Sequence, residues 1–199
     1  MRIITTLLFA LSSICCYSQS FNGVNISGDV SVAVQQFKSK GFKLEEQRDN
    51  VYSLSGLLSS RKVELFIFCT PITKKTAKFV VYFEEKNSFS LLKDDFQDFH
   101  EIFIEKYGEP THKLRQIDQA DYDSYEAALK NEKVIVSDFW LSVGSNLSIS
   151  LAISKYMQIK LTYENDVIME LLDKEKKKIK KVRLPCCKRT FCINIDCNM

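Results

Sequence analysis

Apolar residues recur at helical spacing in two segments, and each segment ends at a glycine. The first is predicted from Val30 to Lys40 behind a cap at Asp29, and the second begins after Ser88. The glycines, Gly41 and Gly108, accept the left-handed backbone of a helix end without a Cβ clash. The apolar positions are Val30, Ala33, Val34 and Phe37 in the first segment, and Phe89, Leu92, Phe96, Phe99, Phe103 and Tyr107 in the second.

Each of these helices is followed by runs rich in β-branched and aromatic residues, which predict strands. The predicted strands are 51–57, 62–69 and 77–83, then 111–117, 134–141, 147–153 and 157–163. A short helix over 122–130 capped by Asp121 and a last helix that is capped by Asp166 and runs to about Lys181 complete the pattern. A helix, a glycine and several strands thus occur twice. This predicts an α+β fold with one antiparallel sheet and helices packed on one face.

The first twenty residues are typical of a secretory signal peptide. Arg2 is a basic start, an apolar run extends from Ile3 to Cys16, and Ser18 and Ser20 are small residues before Phe21. We therefore predict an exported protein, periplasmic or extracellular, whose domains are a signal peptide (1–20), one α+β domain (21–173) and a tail (174–199). The remaining chain has no apolar run long enough for a membrane-spanning helix.

Charge separates the domain from the tail. Residues 21–173 hold 18 Lys and Arg against 23 Asp and Glu, whereas 174–199 hold 9 against 2. The acidic domain lacks the basic face that nucleic-acid binding requires. Six lysines between Lys174 and Lys181 are either a solvated helix end or a weak electrostatic contact with an anionic membrane.

The tail also contains a cluster of four cysteines: Cys186, Cys187, Cys192 and Cys197. In an exported protein such a cluster predicts two disulfides, with three connectivities open. Zinc binding is the alternative, although the spacing is not that of a common zinc site. A third interpretation is that the tail is a poorly ordered extension without a role.

Each of the two long helices ends in a short motif, Lys40-Gly41-Phe42 in the first and Lys106-Tyr107-Gly108-Glu109-Pro110 in the second. In this arrangement the chain resembles a group of uncharacterised secreted proteins from Gram-negative gut bacteria. The unit is also similar to helix-plus-sheet modules of β-lactamase-inhibitor proteins and outer-membrane assembly lipoproteins. The resemblance covers about residues 21–170. It implies a fold and an exported location, with no known activity.

The residue types that carry catalysis are sparse in the domain. Cys69 is its only cysteine, and a nucleophilic pair with His100 or His112 is weighed against an inert, buried thiol, which we favour. For His100, beside the apolar stripe, we favour packing at the edge of the core. The acidic cluster Asp118, Asp121, Asp123 and Glu126 lacks the spacing and glycine of a calcium loop.

No nucleophile elbow, phosphate-binding loop or dinucleotide-binding turn occurs in the sequence. We therefore predict no catalytic residue, no metal ion and no cofactor. The leading hypothesis is a non-enzymatic binding or inhibitor-like module that contacts a protein or envelope component. The alternatives are a hydrolase with an unrecognised site and an envelope-tethering protein that acts through its basic tail.

Overall fold

The computed structural model describes residues 20–117, 124–144 and 146–183. The helices are α1 (Val30–Ser39), α2 (Phe89–Tyr107), α3 (Tyr125–Lys130) and α4 (Asp166–Arg183). The strands are β1 (Ser20–Phe21), β2 (Val24–Asn25), β3 (Lys43–Arg48), β4 (Val51–Leu58), β5 (Arg61–Cys69), β6 (Thr76–Phe83), β7 (His112–Ile117), β8 (Val134–Val143), β9 (Leu147–Ile153) and β10 (Ile159–Asn165).

Eight strands form one antiparallel sheet in the order β3-β4-β5-β6-β10-β9-β8-β7, and β1 and β2 form a separate small hairpin. Each half of the large sheet is a four-stranded meander that follows a long helix, α1 in the first half and α2 in the second. The halves join where their last strands pair, with Leu161 opposite Val81. The predicted α+β fold with one antiparallel sheet is confirmed.

The ends of the two long helices follow the local rules read from the sequence. The carboxylate of Asp29 accepts a hydrogen bond from the Ser31 amide at 2.9 Å, and the hydroxyl of Ser88 caps α2 in the same way. Gly41 has φ +90° and Gly108 has φ +79°. After α1 the Phe42 amide donates to the Phe37 carbonyl, so the chain folds back onto the helix.

The α1 and α2 helices pack on the same face of the sheet. The ring of Phe37 on α1 lies 5.3 Å from that of Phe79 on β6, and Phe103 on α2 lies 5.3 Å from Trp140 on β8. Along β5 and β9 the buried side chains alternate with more exposed ones, because successive residues of a strand point to opposite faces. One continuous core therefore lies between the helices and this face.

Two helix starts differ from the prediction. The α3 helix begins at Tyr125 because the Ser124 hydroxyl accepts from the Ala127 amide at 3.1 Å, so Asp121 is not its cap. The α4 helix is capped by Asn165, whose side-chain oxygen accepts from the Ile168 amide at 3.0 Å. Asp166 is instead the first residue of that helix, where a carboxylate also suits the helix dipole.

Several predictions concern residues outside the described ones. These are the signal peptide up to residue 19, the acids 118–123 and the four tail cysteines. Among the helices that are described, none combines the length and the apolar character needed to cross a bilayer.

Candidate functional site

The sheet has a second face, turned away from α1 and α2, which we call the open face. Because strand residues alternate, the neighbours of the core residues in sequence point to this side. Its larger apolar members are Leu57, Phe66, Phe68, Tyr82, Ile135, Phe139 and Leu141. They come from both halves of the sheet. The open face is therefore a broad, partly apolar surface built on rigid strands.

Aromatic side chains on the open face pack against one another and against lysine. The rings of Phe66 and Tyr82 meet edge to face with centroids 5.9 Å apart, and the Lys78 ammonium lies 5.7 Å from the Phe68 ring. These rings are half-buried, and Leu141 is 51% exposed. Rings held in place by neighbours lose little conformational freedom when a partner covers them, which favours binding.

Shallow cavities open along this face. One of about 470 Å³ lies beside β4–β6 and includes Ser55, Leu57, Glu64 and Tyr82 in its wall. A second of about 340 Å³ adjoins it through Tyr82, and a third of about 110 Å³ lies under Leu141. Cavities spread over a sheet suit the side chains of a macromolecule better than one small ligand, which prefers a single deep pocket.

The open face also carries charged groups: Lys62, Glu64, Lys78, Lys160 and Glu164. Lys78 and Glu164, on neighbouring strands, form an ion pair at 2.7 Å. Lys160 is half-buried in the wall of the second cavity, where burial and the nearby Lys78 lower its pKa. The aromatic rings between these charges are of the type enriched in protein interfaces.

The edges of the sheet are poorer candidates for binding. The edge strand β3 carries charged, exposed side chains, and a bulge between Leu44 and Glu46 interrupts its pairing. The other edge strand, β7, carries Lys113 and Arg115. Charges and bulges on edge strands block the addition of a further strand. Partner binding on this scaffold is therefore expected on the face.

A buried polar cluster lies on the opposite, core-facing side. The Asp138 carboxylate has no exposed surface, and it accepts a hydrogen bond from Arg115 Nη2 at 2.5 Å. The Nδ1 atom of His100 lies 2.8 Å from the second carboxylate oxygen, but the two are not aligned as a hydrogen bond. The guanidinium also lies 5.1 Å from the Phe96 ring. This arrangement connects α2 to β7 and β8.

The predicted nucleophile and histidines are not brought together. Cys69 is 1% exposed at the end of β5, and burial raises the pKa of its thiol. His100 contacts β8, which lies four strands from β5, or about 19 Å at the usual strand spacing. His112 is exposed on β7, one strand further. The inert interpretation of Cys69 agrees with this geometry.

Of the acidic cluster, only Glu126 lies among the described residues. Its carboxylate accepts from the Phe89 amide at 2.9 Å, and that hydrogen bond lowers the pKa of Glu126. It therefore joins the start of α2 to α3. Within 20–117, 124–144 and 146–183, no three His, Cys, Asp or Glu side chains gather as metal ligands.

The α4 helix is attached to the loop between β5 and β6 through one buried acid. Glu175 accepts from the Ile72 amide at 2.6 Å, and from the Thr73 hydroxyl at 2.8 Å and amide at 3.3 Å. Burial raises the pKa of Glu175, but these hydrogen bonds outweigh that effect and leave the pKa below its ordinary value. The only acid within a run of lysines is thus a structural anchor.

Three features of this site were missed from the sequence alone, although each left a signal. Asp138 is the one charged residue within an apolar strand, and Glu175 is the one acid within 174–181. The open face is signalled by strands that are apolar at successive positions.

The fold and the site define an α+β protein of two helix-then-strands units with a broad exposed sheet face. Compared with known proteins, the chain matches no family model, no curated protein and no solved structure.

Proposed function

We propose that this chain is an exported, non-enzymatic binding module that contacts a protein or an envelope component through the open face of its sheet. One observation carries the proposal: α1 and α2 cover one face only, while aromatic side chains lie half-exposed on the other. Exposed apolar patches of this kind mark interaction sites.

The rigidity of the scaffold supports the same function. Each ring on the open face stands on a strand with hydrogen-bonded neighbours on both sides, since Phe66, Tyr82 and Phe139 all lie inside the sheet. A preorganised surface pays little ordering entropy on association. An inhibitor-like module needs this property, because it must occupy a partner tightly without changing shape.

The proposed export rests on the signal-peptide pattern of residues 1–20. Phe21, the first residue after the predicted cleavage point, is buried, and its ring lies 5.0 Å from that of Tyr163. β1 itself begins at Ser20. The intact mass of the exported chain tests this part of the proposal: we expect a chain that begins at Phe21, and the full-length mass would contradict export by this route.

Site-specific photo-crosslinking in the producing cells tests the binding surface. We expect a crosslinker at Phe139 to give an adduct of one defined mass, and the same crosslinker at Leu91, exposed on α2, to give none. The matched substitutions are Leu141→Lys and Ile102→Lys, since these side chains are 51% and 56% exposed on opposite sides.

Only the change on the open face is expected to abolish the Phe139 adduct. Exposed positions change stability little, so both variants should remain folded. Binding through the open face would be contradicted if the crosslinker at Leu91 gave as much adduct as the one at Phe139. It would also be contradicted if Ile102→Lys abolished the Phe139 adduct as Leu141→Lys does.

A further inference from the structure

The outward side of α4 is basic from Lys174 to Lys181, whereas the first half of the helix exposes Val167, Glu170 and Asp173. Glu175 and Leu172 point inward and are buried, whereas the six lysines of the helix are exposed. We call these lysines the basic face: Lys174, Lys176, Lys177, Lys178, Lys180 and Lys181. At 1.5 Å per residue they occupy about 10 Å of helix. Neighbouring acids lie at the start of the run, where Glu170 pairs with Lys174 at 3.7 Å.

The basic face is fixed to the rest of the protein by Glu175. Its carboxylate is hydrogen-bonded to the backbone of Ile72 and Thr73, in the loop between β5 and β6. The α4 helix also packs against β6 and β10. The lysines therefore project from a helix that is packed on the domain, which fixes their positions relative to it.

The same loop supplies an exposed apolar residue beside these charges. Ile72 is 56% exposed, although its amide lies 2.6 Å from the Glu175 carboxylate. Lys74 and Lys75 follow it in the loop, and both are exposed. An aliphatic side chain at a loop tip is thus bordered by lysines from two elements.

We propose that the basic face of α4, together with Ile72, docks this protein on the surface of an anionic lipid bilayer. The lysines complement the negative headgroups, and Ile72 enters the boundary between headgroups and acyl chains. A bilayer fits better than an acidic protein because, between residues 174 and 181, lysines occupy every exposed position of the helix. A flat anionic bilayer can contact lysines spread over the convex surface of a helix, whereas an acidic protein would need a complementary groove. The basic face points away from the sheet and shares no side chain with those tested on the open face, so either proposal can fail alone.

Vesicle sedimentation with the full chain tests this inference. The probes are phosphatidylcholine vesicles with and without 30% phosphatidylglycerol, at low and high salt. One triple variant carries Lys176→Gln, Lys177→Gln and Lys180→Gln. The control is a second triple variant with the same loss of charge, Lys38→Gln, Lys93→Gln and Lys133→Gln, whose lysines are exposed elsewhere on the protein. Glutamine keeps good helix propensity, so α4 is expected to stay formed.

We expect binding only to the anionic vesicles, with loss at high salt. A basic residue near such a surface contributes roughly fivefold in affinity, so the α4 triple variant should bind on the order of a hundredfold more weakly. The control should change little, and Ile72→Ser should weaken binding several-fold. Equal weakening by the control, unchanged binding at high salt, or binding to soluble heparin but not to vesicles would overturn the proposal.

Discussion

Replacement of Glu175 by glutamine tests how α4 is held. The carboxylate is 3% exposed and receives three donors: the Ile72 amide, the Thr73 amide and the Thr73 hydroxyl. Glutamine has nearly the same shape, but one of its oxygens becomes an NH₂ group that cannot accept a hydrogen bond. The single remaining oxygen then has to serve donors that two charged oxygens share in the natural protein, so these hydrogen bonds are weakened or lost.

The expected cost follows from the charge on the acceptor. A hydrogen bond to a charged group contributes about 1.5–3 kcal/mol, and an unpaired buried donor costs a similar amount. We expect Glu175→Gln to lower the free energy of α4 undocking by about 2 kcal/mol. The matched control is Glu170→Gln, an exposed acid of the same helix whose pair with Lys174 at 3.7 Å should contribute no more than about 0.5 kcal/mol.

The pH dependence has a defined sign. Although burial raises the pKa of Glu175, the hydrogen bonds leave it below the ordinary value of 4.5, so the folded state favours the charged carboxylate. Its contribution is therefore complete above about pH 4.5 and is lost as the pH falls through the folded pKa. Acid should loosen α4 in the natural protein, and Glu175→Gln should lack this dependence.

Hydrogen exchange of the Ile72 and Thr73 amides measures the local effect, because both N–H groups donate to the carboxylate. We expect exchange about thirtyfold faster in Glu175→Gln, the ratio that 2 kcal/mol represents, and no change in Glu170→Gln. Fluorescence of Trp140, the only tryptophan, reports the global fold in parallel. Unchanged protection of both amides in Glu175→Gln would refute the anchoring role.

Three further predictions concern the interior. Gly56→Ala should destabilise the fold by about 1–3 kcal/mol in urea unfolding, since its Cβ would lie 2.6 Å from the buried Phe42 ring, whereas Gly28→Ala has free space and should not. Asp138→Ala should cost about 1.5–3 kcal/mol in the same assay because it removes the charged hydrogen bond between Asp138 and Arg115; a loss below 1 kcal/mol would contradict this. Cys69 should resist iodoacetamide at neutral pH and react only on unfolding, and rapid labelling of the folded protein would show that its thiol is accessible.

The elements that the sequence predicted well are those set by local chemistry. The α1 and α2 helices were predicted because Asp29 and Ser88 cap them and because Gly41 and Gly108 end them, all within a few residues of the affected backbone. The start of α3 was predicted less well, because more than one residue before it has a side chain that can cap a helix. Ser124 rather than Asp121 starts α3, since its hydroxyl reaches the Ala127 amide.

Contacts between distant elements could not be predicted in this way. Glu175 and Ile72 are 103 positions apart, and His100 and Asp138 belong to a helix and a strand joined by a long connection. Their pairing depends on the sheet order, in which the last strands of the two halves meet at the centre. A sequence shows that a lone acid is unusual in its surroundings, but the fold decides which group it meets.

The open face, by contrast, has a sequence signal that links directly to function. An antiparallel sheet with one solvated face should alternate apolar and polar residues. β5 and β6 instead read Leu65-Phe66-Ile67-Phe68 and Phe79-Val80-Val81-Tyr82-Phe83, apolar at every position. Packing in the core accounts for only half of these apolar side chains, namely those on the side of α1 and α2.

The other half lies on the open face, where no described long helix but α4 is available and where Phe66, Phe68 and Tyr82 stay half-exposed. The edge strands β3 and β7 show no such run and are rich in charge. Apolar residues that stay half-exposed on this face beside α4 have no role in the core or in blocking the edges. Burial against a partner is the role that accounts for them, which is why the proposed binding surface is the centre of the sheet.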